Sequence, residues 1–289
     1  DGYIQYFFGQ NLLGDKLYNK YRVSSFFGSE LILGSYLSRL FPILFGLFIF
    51  LTQEKKNKLL LFFITIIFIL SEGLIFLSGE RLALFFMNLS AIFIILMIRE
   101  YRIYRFWTYF SSIILILLLL NLYPNAKHRL VDQTINDFTR NSKDTIYIFS
   151  KPHTDMYTAA YRMFLDNKFF GVGPRQFRNE CDNYPVSEYS CETHPHNTYM
   201  ELLSEAGIFA FIIILFLFLF ICYLSIKHLI LKTFRKKHYL DDFLICLISA
   251  VMISLWPFSP SGSFFNNWMS IVYFLPVGII LWKIDSKKF

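Results

Sequence analysis

Seven stretches of this chain are apolar over lengths that no water-exposed element requires, and they decide what it can fold into. They lie near 34–52, 59–78, 82–98, 103–123, 207–226, 241–260 and 264–283. A helix crosses about 30 Å of hydrocarbon with roughly 20 predominantly apolar residues. Backbone groups in lipid have no water to bond, so each run must be a helix or a strand of a closed barrel. None of the runs shows the period-2 alternation of barrel strands. The expected fold is all-α: a polytopic membrane helix bundle of about seven transmembrane helices with a large helical loop outside. Composition agrees, with 55% hydrophobic residues and 35 phenylalanines in 289. The expected organisation is an outer segment 1–33, four spans over 34–123, a long outer loop 124–206, and three spans with a tail over 207–289.

Lys and Arg in short loops resist translocation and so mark the cytoplasmic side. Lys55, Lys56 and Lys58 fall on one side with Arg99, Arg102 and Arg105. So do Lys227, Lys232, Arg235, Lys236 and Lys237, and finally Lys283, Lys287 and Lys288. The same alternation places residues 1–33, the turn Ser78–Arg81, the loop 124–206 and the turn Pro257–Phe265 outside. The net charge of +7 is largely this topogenic signal, and no nucleic-acid module is expected. The chain opens at Asp1 with no start methionine or signal, and the expectation is a fragment of a longer protein with further spans before it.

Cys222 and Cys246 fall in spans and read as small buried hydrophobes. Cys181 and Cys191 flank a short polar loop outside, where a disulfide is expected; zinc is the competing reading and needs two further ligands. Arg39 and Glu72 lie a few residues inside their spans, either as an ion pair or lining a polar cavity. Arg81 opens a helix, against the dipole's preference for anions, and so asks for an anionic partner.

Acids slightly outnumber Lys and Arg in the long loop, but between Arg162 and Arg178 lie Arg162, Lys168, Arg175 and Arg178 against Asp166 alone, a local cationic patch suited to an anionic ligand. Met156, Tyr157, Ala160, Tyr161, Met163 and Phe164 have the spacing of an amphipathic helix lying along the membrane and stopping near Asn167. Gly171 and Gly173 of GVGP then make a turn. Pro195 holds His194 extended. Thr198 and Glu201 form an S/T-x-x-E capping box, leaving His196 just before a helix N-terminus, whose positive end favours the neutral imidazole of a general base. Asn197 is placed to orient a ring or a substrate hydroxyl. His194 and His196 also have the spacing to chelate a metal, although no further ligand pattern completes one.

Three blocks carry a resemblance: SGERLAL at 78–84, FFGVGPRQFRNEC at 169–181 and CETHPHNTYMELLSEAGI at 191–208. In this order and with this topology the chain resembles the O-antigen ligase and O-antigen polymerase superfamily of bacterial envelope glycosyltransferases. His196, Asn197 and Gly207 match the ligases' His-[Asn/Ser/Gln]-x9-Gly pattern, whereas Ala210 departs from the Gly, Thr or Tyr that follows. The resemblance implies a multi-pass protein of the bacterial inner membrane with its active site facing the periplasm. It implies metal-independent, inverting transfer from a polyprenyl-diphosphate-linked oligosaccharide, undecaprenyl diphosphate being the carrier, to a hydroxyl of another glycan, lipid A core or a protein. No cofactor and no metal are implied, and membrane lipid surrounds the site. His196 would be the base and Arg81, Arg175, Arg178 and Arg162 the cations on the diphosphate. His153, His194, Asn197 and Glu205 would be further substrate contacts. A transporter or flippase for an anionic lipid-linked sugar is the alternative. It would spread polar groups through several spans, whereas here they gather at the outer edge. A sensor or scaffold with a ligand-binding outer loop is a third reading.

Overall fold

The structure is a computed structural model that describes residues 1–19, 22–52, 58–139 and 148–285. Lys55, Lys56, Lys287 and Lys288, expected above to mark the cytoplasmic side, lie outside the described residues. The helices in chain order are α1 (Gly2–Phe8), α2 (Leu33–Thr52), α3 (Lys58–Ser78), α4 (Arg81–Met97), α5 (Arg102–Leu122), α6 (Pro124–Lys127) and α7 (Gln133–Thr139). They continue with α8 (Lys151–Asp166), α9 (Phe177–Glu180), α10 (Thr198–Glu201), α11 (Gly207–Arg235), α12 (Asp242–Ser254) and α13 (Asn267–Asp285). Among the described residues there is no strand, only isolated bridges between Gln10 and Lys16 and between Tyr18 and Arg22. The chain is a polytopic membrane helix bundle by length and composition.

Among the described residues, four helical stretches are long and apolar enough to cross a membrane: α2, α3, α5 and the 38 residues Thr198–Arg235. The other three expected spans are shorter. α4 has 17 residues, α12 has 13, and the apolar part of α13 is Asn267–Lys283. α12 stops at Ser254, ahead of the 260 expected, because Pro257 breaks the ladder and disfavours helix at Trp256.

The chain divides into two compact units. Unit 1 comprises Asp1–Thr134, Lys227–Ile253 and Ile279–Phe289; unit 2 comprises Ile135–Ile226 and Ser254–Gly278. In unit 1, α2 packs on α3 and α4, and α3 on α5. Val23, Leu33, Phe76 and Leu77 form a buried cluster at one end of α3. Arg105, expected only as a topogenic charge, is 7% exposed and donates to the carbonyls of Ile94 and Ile98, so its guanidinium satisfies the C-terminal end of α4. Of the two alternatives for Arg39 and Glu72, the ion pair is not formed. The Arg39 guanidinium lies 5.1 Å from the Phe86 ring centre, and both Glu72 oxygens are buried without a hydrogen-bond partner.

Unit 2 is built around α8. Ala159, Ala160 and Met163 on its inner face pack against Phe177 and Cys181, with Val172, Tyr184, Cys191 and Met200 around them. The helix ends at Asp166 as its pattern requires, but its apolar face covers its own loop's core rather than forming a membrane-facing stripe. Tyr161, on the expected face, is exposed. A disulfide joins Cys181 to Cys191, with a Cα–Cα distance of 5.2 Å.

Candidate active site

α10 passes into α11 through one π-helical turn, Leu202–Ala206. A π turn displaces the backbone ladder and leaves carbonyls without their usual partners. Two of them are taken by the glycine turn: Val172 N–H donates to Ser204 O (3.0 Å) and Gly173 N–H to Glu205 O (2.9 Å). Ile208 N–H donates back to Lys168 O at 2.9 Å. This crossing demands glycine on both chains. Gly171 (φ +65°) and Gly207 (φ +75°) are left-handed, and a Cβ on Gly207 would stand 2.1 Å from Phe169 O.

The crossing fixes the cationic loop. Glu205, fully buried, accepts the backbone N–H of Arg175 (2.5 Å) on one oxygen and that of Phe177 (2.9 Å) on the other. Its carboxylate therefore shapes residues 175–177, which replaces the sugar contact expected for it. Arg175 has a left-handed backbone (φ 63°) and donates Nη2 to Phe265 O at 2.6 Å. Arg162 donates Nη1 to Pro185 O at 2.9 Å. Arg178 is exposed and near enough to His194 to act on it electrostatically; no hydrogen bond engages its side chain among the described residues. Arg175 and Arg162 each spend one of five guanidinium donors on a carbonyl and stay exposed, whereas the Arg178 side chain spends none on a described residue.

The histidine turn is held from below by the start of the next helix. Asn197, not Thr198, is the N-cap: its Oδ1 accepts Tyr199 N–H (3.0 Å) and Met200 N–H (3.1 Å). Its Nδ2 donates to Pro257 O (3.0 Å) and Ser259 O (3.2 Å), so all four hydrogen-bonding positions are used and none remains for a substrate hydroxyl. The expected capping box gives way for the same reason. With Asn197 capping, Thr198 pairs with the hydroxyls of Ser261 (3.0 Å) and Tyr273 (2.9 Å). Glu201 accepts Ser263 Oγ (2.5 Å) and Phe264 N–H (2.7 Å). Tyr199 OH donates to Leu255 O at 2.7 Å. Four polar side chains within five residues thus bind one short segment, residues 255–264, which the sequence presented only as a turn. Its small polar run SPSGS between apolar helices was the signal.

His196 stands at the apex of this bracket in a left-handed conformation (φ 54°). A non-glycine residue there costs on the order of 1–3 kcal/mol unless its surroundings hold it. They do: its carbonyl accepts Ser261 N–H at 2.8 Å and Tyr157 OH at 3.4 Å, and Asn197 begins the helix at once. Two more imidazoles surround the ring, with centroids 4.0 Å away for His194 and 5.9 Å for His153. His194 sits between Thr193 Oγ1, 3.0 Å from Nδ1, and Ser261 O, 3.3 Å from Nε2. That network assigns the proton to Nε2 and leaves neither nitrogen for a metal. His153 Nδ1 pairs with Ser150 Oγ at 2.6 Å. Burial lowers both ring pKa values, that of His194 to about 4 with help from the neighbouring His196, and that of His196 below its usual 6.5 against the opposing charge of Glu192. Both rings are neutral at pH 7. Among the described residues, the only metal-like grouping is Cys181, Asp182 and Cys191, whose thiols are already joined in the disulfide.

Unit 1 carries a second cationic cluster, at the turn before α4. Arg22 donates Nε to Ser78 O (2.7 Å), and Arg129 donates Nε to Gly79 O (3.0 Å) and Nη1 to Gln133 Oε1 (3.4 Å). Arg81 donates Nη1 to Thr134 Oγ1 at 3.3 Å. Glu80, the acid among them, accepts the N–H groups of Gly34 (2.6 Å) and Ser35 (2.9 Å) at the start of α2. Beside the turn is a cavity of ≈ 300 Å³, lined by Arg129, Gly79, Tyr6 and Tyr123 over Phe76 and Leu77. Sequence reasoning singled out Arg81 and passed over Arg22 and Arg129, whose sequence distance from the turn gives no sign of the contact.

No curated protein matches the chain. The profile of the O-antigen ligase family matches residues 66–215, more than half of its length. That interval contains Arg81, His153, Arg162, Arg175, Arg178, His194, His196, Asn197 and Glu205. Together with its long apolar helices, the match makes this chain a member of the O-antigen ligase family, membrane glycosyltransferases of the O-antigen ligase and polymerase type.

Proposed function

We propose that the protein transfers or polymerises a glycan carried on a polyprenyl diphosphate, at the periplasmic face of the bacterial inner membrane, with His196 as general base. The observation that carries this reading is the histidine turn: a half-buried, neutral imidazole on a left-handed backbone whose carbonyl is held by Ser261 and Tyr157. The acceptor is a hydroxyl of a second glycan, of lipid A core or of a protein. His196 removes its proton as the oxygen attacks the anomeric carbon, and the bond from that carbon to the diphosphate oxygen breaks with inversion. The electron pair goes to the departing diphosphate, whose charge a guanidinium must meet. Arg178 is the contact we favour in unit 2, because its charge acts on His194 beside the proposed base and its side chain is not tied to a backbone carbonyl as those of Arg175 and Arg162 are. In unit 1, Arg81 is assigned a diphosphate contact by its motif, with Arg22 and Arg129 adding positive charge around the same turn. No metal or cofactor takes part. His153 and His194 shape the site around His196, and Asn197 and Glu205 position it without touching substrate.

The test uses the full-length protein in bacterial strains that lack their own O-antigen ligase or polymerase, comparing lipopolysaccharide ladders for wild type, His196→Asn, Arg178→Ala and Arg81→Ala. Restoration by wild type and loss in His196→Asn at equal membrane abundance supports the reading. Ladders unchanged in all three variants would sink it. The strain that responds distinguishes chain transfer from polymerisation.

A further inference from the structure

Residues 168–170, Lys-Phe-Phe, present the most exposed aromatic pair of unit 2. Phe169 is 63% and Phe170 80% exposed, directly before the glycine crossing. They are held there rigidly. Lys168 O accepts Ile208 N–H, Gly171 N–H donates to Asn167 O, and the absent Cβ of Gly207 lets Phe169 O lie against α11. Both rings meet Phe209 in the first turn of that helix, with centroids 6.2 Å and 6.1 Å away.

The helix itself says what covers them. Gly207 to Ile226 is twenty residues without a charged side chain, about 30 Å of helix at 1.5 Å per residue and so one hydrocarbon thickness. Its exposed residues Phe209, Ile212, Ile213 and Phe216 follow the i, i+3, i+4, i+7 spacing of one face, which in a spanning helix is the face toward acyl chains. Phe169 and Phe170 continue that stripe at its end, where hydrocarbon meets headgroups. Aromatic rings favour this depth, and an exposed Lys168 beside them is placed for lipid phosphate.

We infer that the Lys168–Phe170 segment is a lipid-inserted wedge, with both phenylalanines among the acyl chains of the adjacent leaflet and Lys168 at the phospholipid phosphates. The wedge and the cationic loop are one hairpin, since the amides of Val172, Gly173 and Arg175 are bonded to the same π turn and its Glu205. Insertion therefore sets the height of Arg175 and Arg178 at the headgroup layer.

The test places the photoreactive p-benzoylphenylalanine at position 170 of the full chain in nanodiscs of phosphatidylethanolamine and phosphatidylglycerol, with position 189, another exposed aromatic of unit 2, as control. After irradiation, intact mass reads the adduct. A phospholipid adduct several-fold more abundant at 170 than at 189 is the expected result. Equal labelling at both positions, no lipid adduct at 170, or a crosslinked second copy of the chain would overturn it. The readout is mass, so failure of the proposed transfer chemistry leaves the result intact. A Phe170→Trp variant supplies an independent measurement: brominated acyl chains must quench its added emission relative to wild type, and absence of that quenching would also overturn the wedge.

Discussion

Two turns of this protein solve the same problem in opposite ways. Each is irregular backbone beside apolar helices, where unbonded carbonyls are costly. At Ser78–Arg81 the carbonyls are bonded by guanidiniums, Arg22 to Ser78 and Arg129 to Gly79, so the charges that would meet an anion also hold the turn. At His194–Asn197 the holding is done by neutral amides, hydroxyls and a tyrosine, with Glu201 bound into the same segment. The His196 ring is left out of that work. The proposed binding role and the structural one thus fall on the same kind of group in the first turn and on different groups in the second. The consequence is experimental: function can be removed from the histidine turn without loosening it, whereas the arginine turn does not permit this.

The largest expected effect is chemical. His196→Asn keeps a residue type that tolerates the left-handed conformation while removing the proposed base, and should lower the transfer rate by roughly 10²–10⁴-fold with an unchanged melting temperature in detergent. A parallel fall in melting temperature would merge the two turns into one kind and break the comparison. Next is the glycine crossing, where Gly207→Ala drives a methyl into Phe169 O and should cost roughly 3–5 kcal/mol. Thermal unfolding reads it, and a variant as stable as wild type would mean that the crossing can open at little cost.

Acidification tests the neutral rings. Folding lowers the pKa of His194 and His196 below the unfolded value near 6.5, so the folded state binds fewer protons. Their contribution to stability is fully present above that value and is lost as pH falls from about 6.5 toward their folded values. With His194 at about 4, its loss amounts to at most about 2 kcal/mol between pH 7 and pH 5. Activity falls over the lower part of the same window as His196 gains a proton. Melting temperatures and initial rates from pH 7.5 to 4.5 check both, and a His194→Asn variant should flatten most of the stability curve.

The bounds of helices α2 to α5 were legible to within a residue or two at each end because apolar length marks them out. α11 runs on to Arg235, past the expected 226, since Lys and Arg are good helix formers and suit a helix C-terminus. α12 is shorter than its apolar run because Pro257 interrupts it, and the carbonyls just beyond its end, at Leu255 and Pro257, are bonded by Tyr199 and Asn197 instead. The histidine turn was visible as residue types at a helix start. The uses of Asn197, Glu201 and Glu205 were not, because each side chain bonds to residues 28 to 63 positions away. Local spacing made Thr198 and Glu201 look like a box; a better cap one residue earlier freed both for the distant loop.

The two turns also cap helices differently, and this supplies the smallest prediction. Asn197 caps its own helix with an uncharged oxygen, a contact that forms as soon as the turn does. Glu80 caps α2 from 45 residues away, with one carboxylate oxygen on each of two N–H groups, and burial raises its pKa while those two bonds and Arg22 oppose the rise. Glu80→Gln keeps one acceptor oxygen but removes the charge from the positive end of α2 and turns an N–H₂ toward the second amide. The cost should be about 1 kcal/mol, read as a small fall in melting temperature. Because Arg22 faces Glu80 and holds Ser78 O, the variant should also raise the positive potential at Arg81 and tighten binding of inorganic diphosphate to the purified protein. Weaker diphosphate binding would show that Glu80 orders the arginine turn more than it neutralises it, and that the fusion of holding with binding extends to the acid as well.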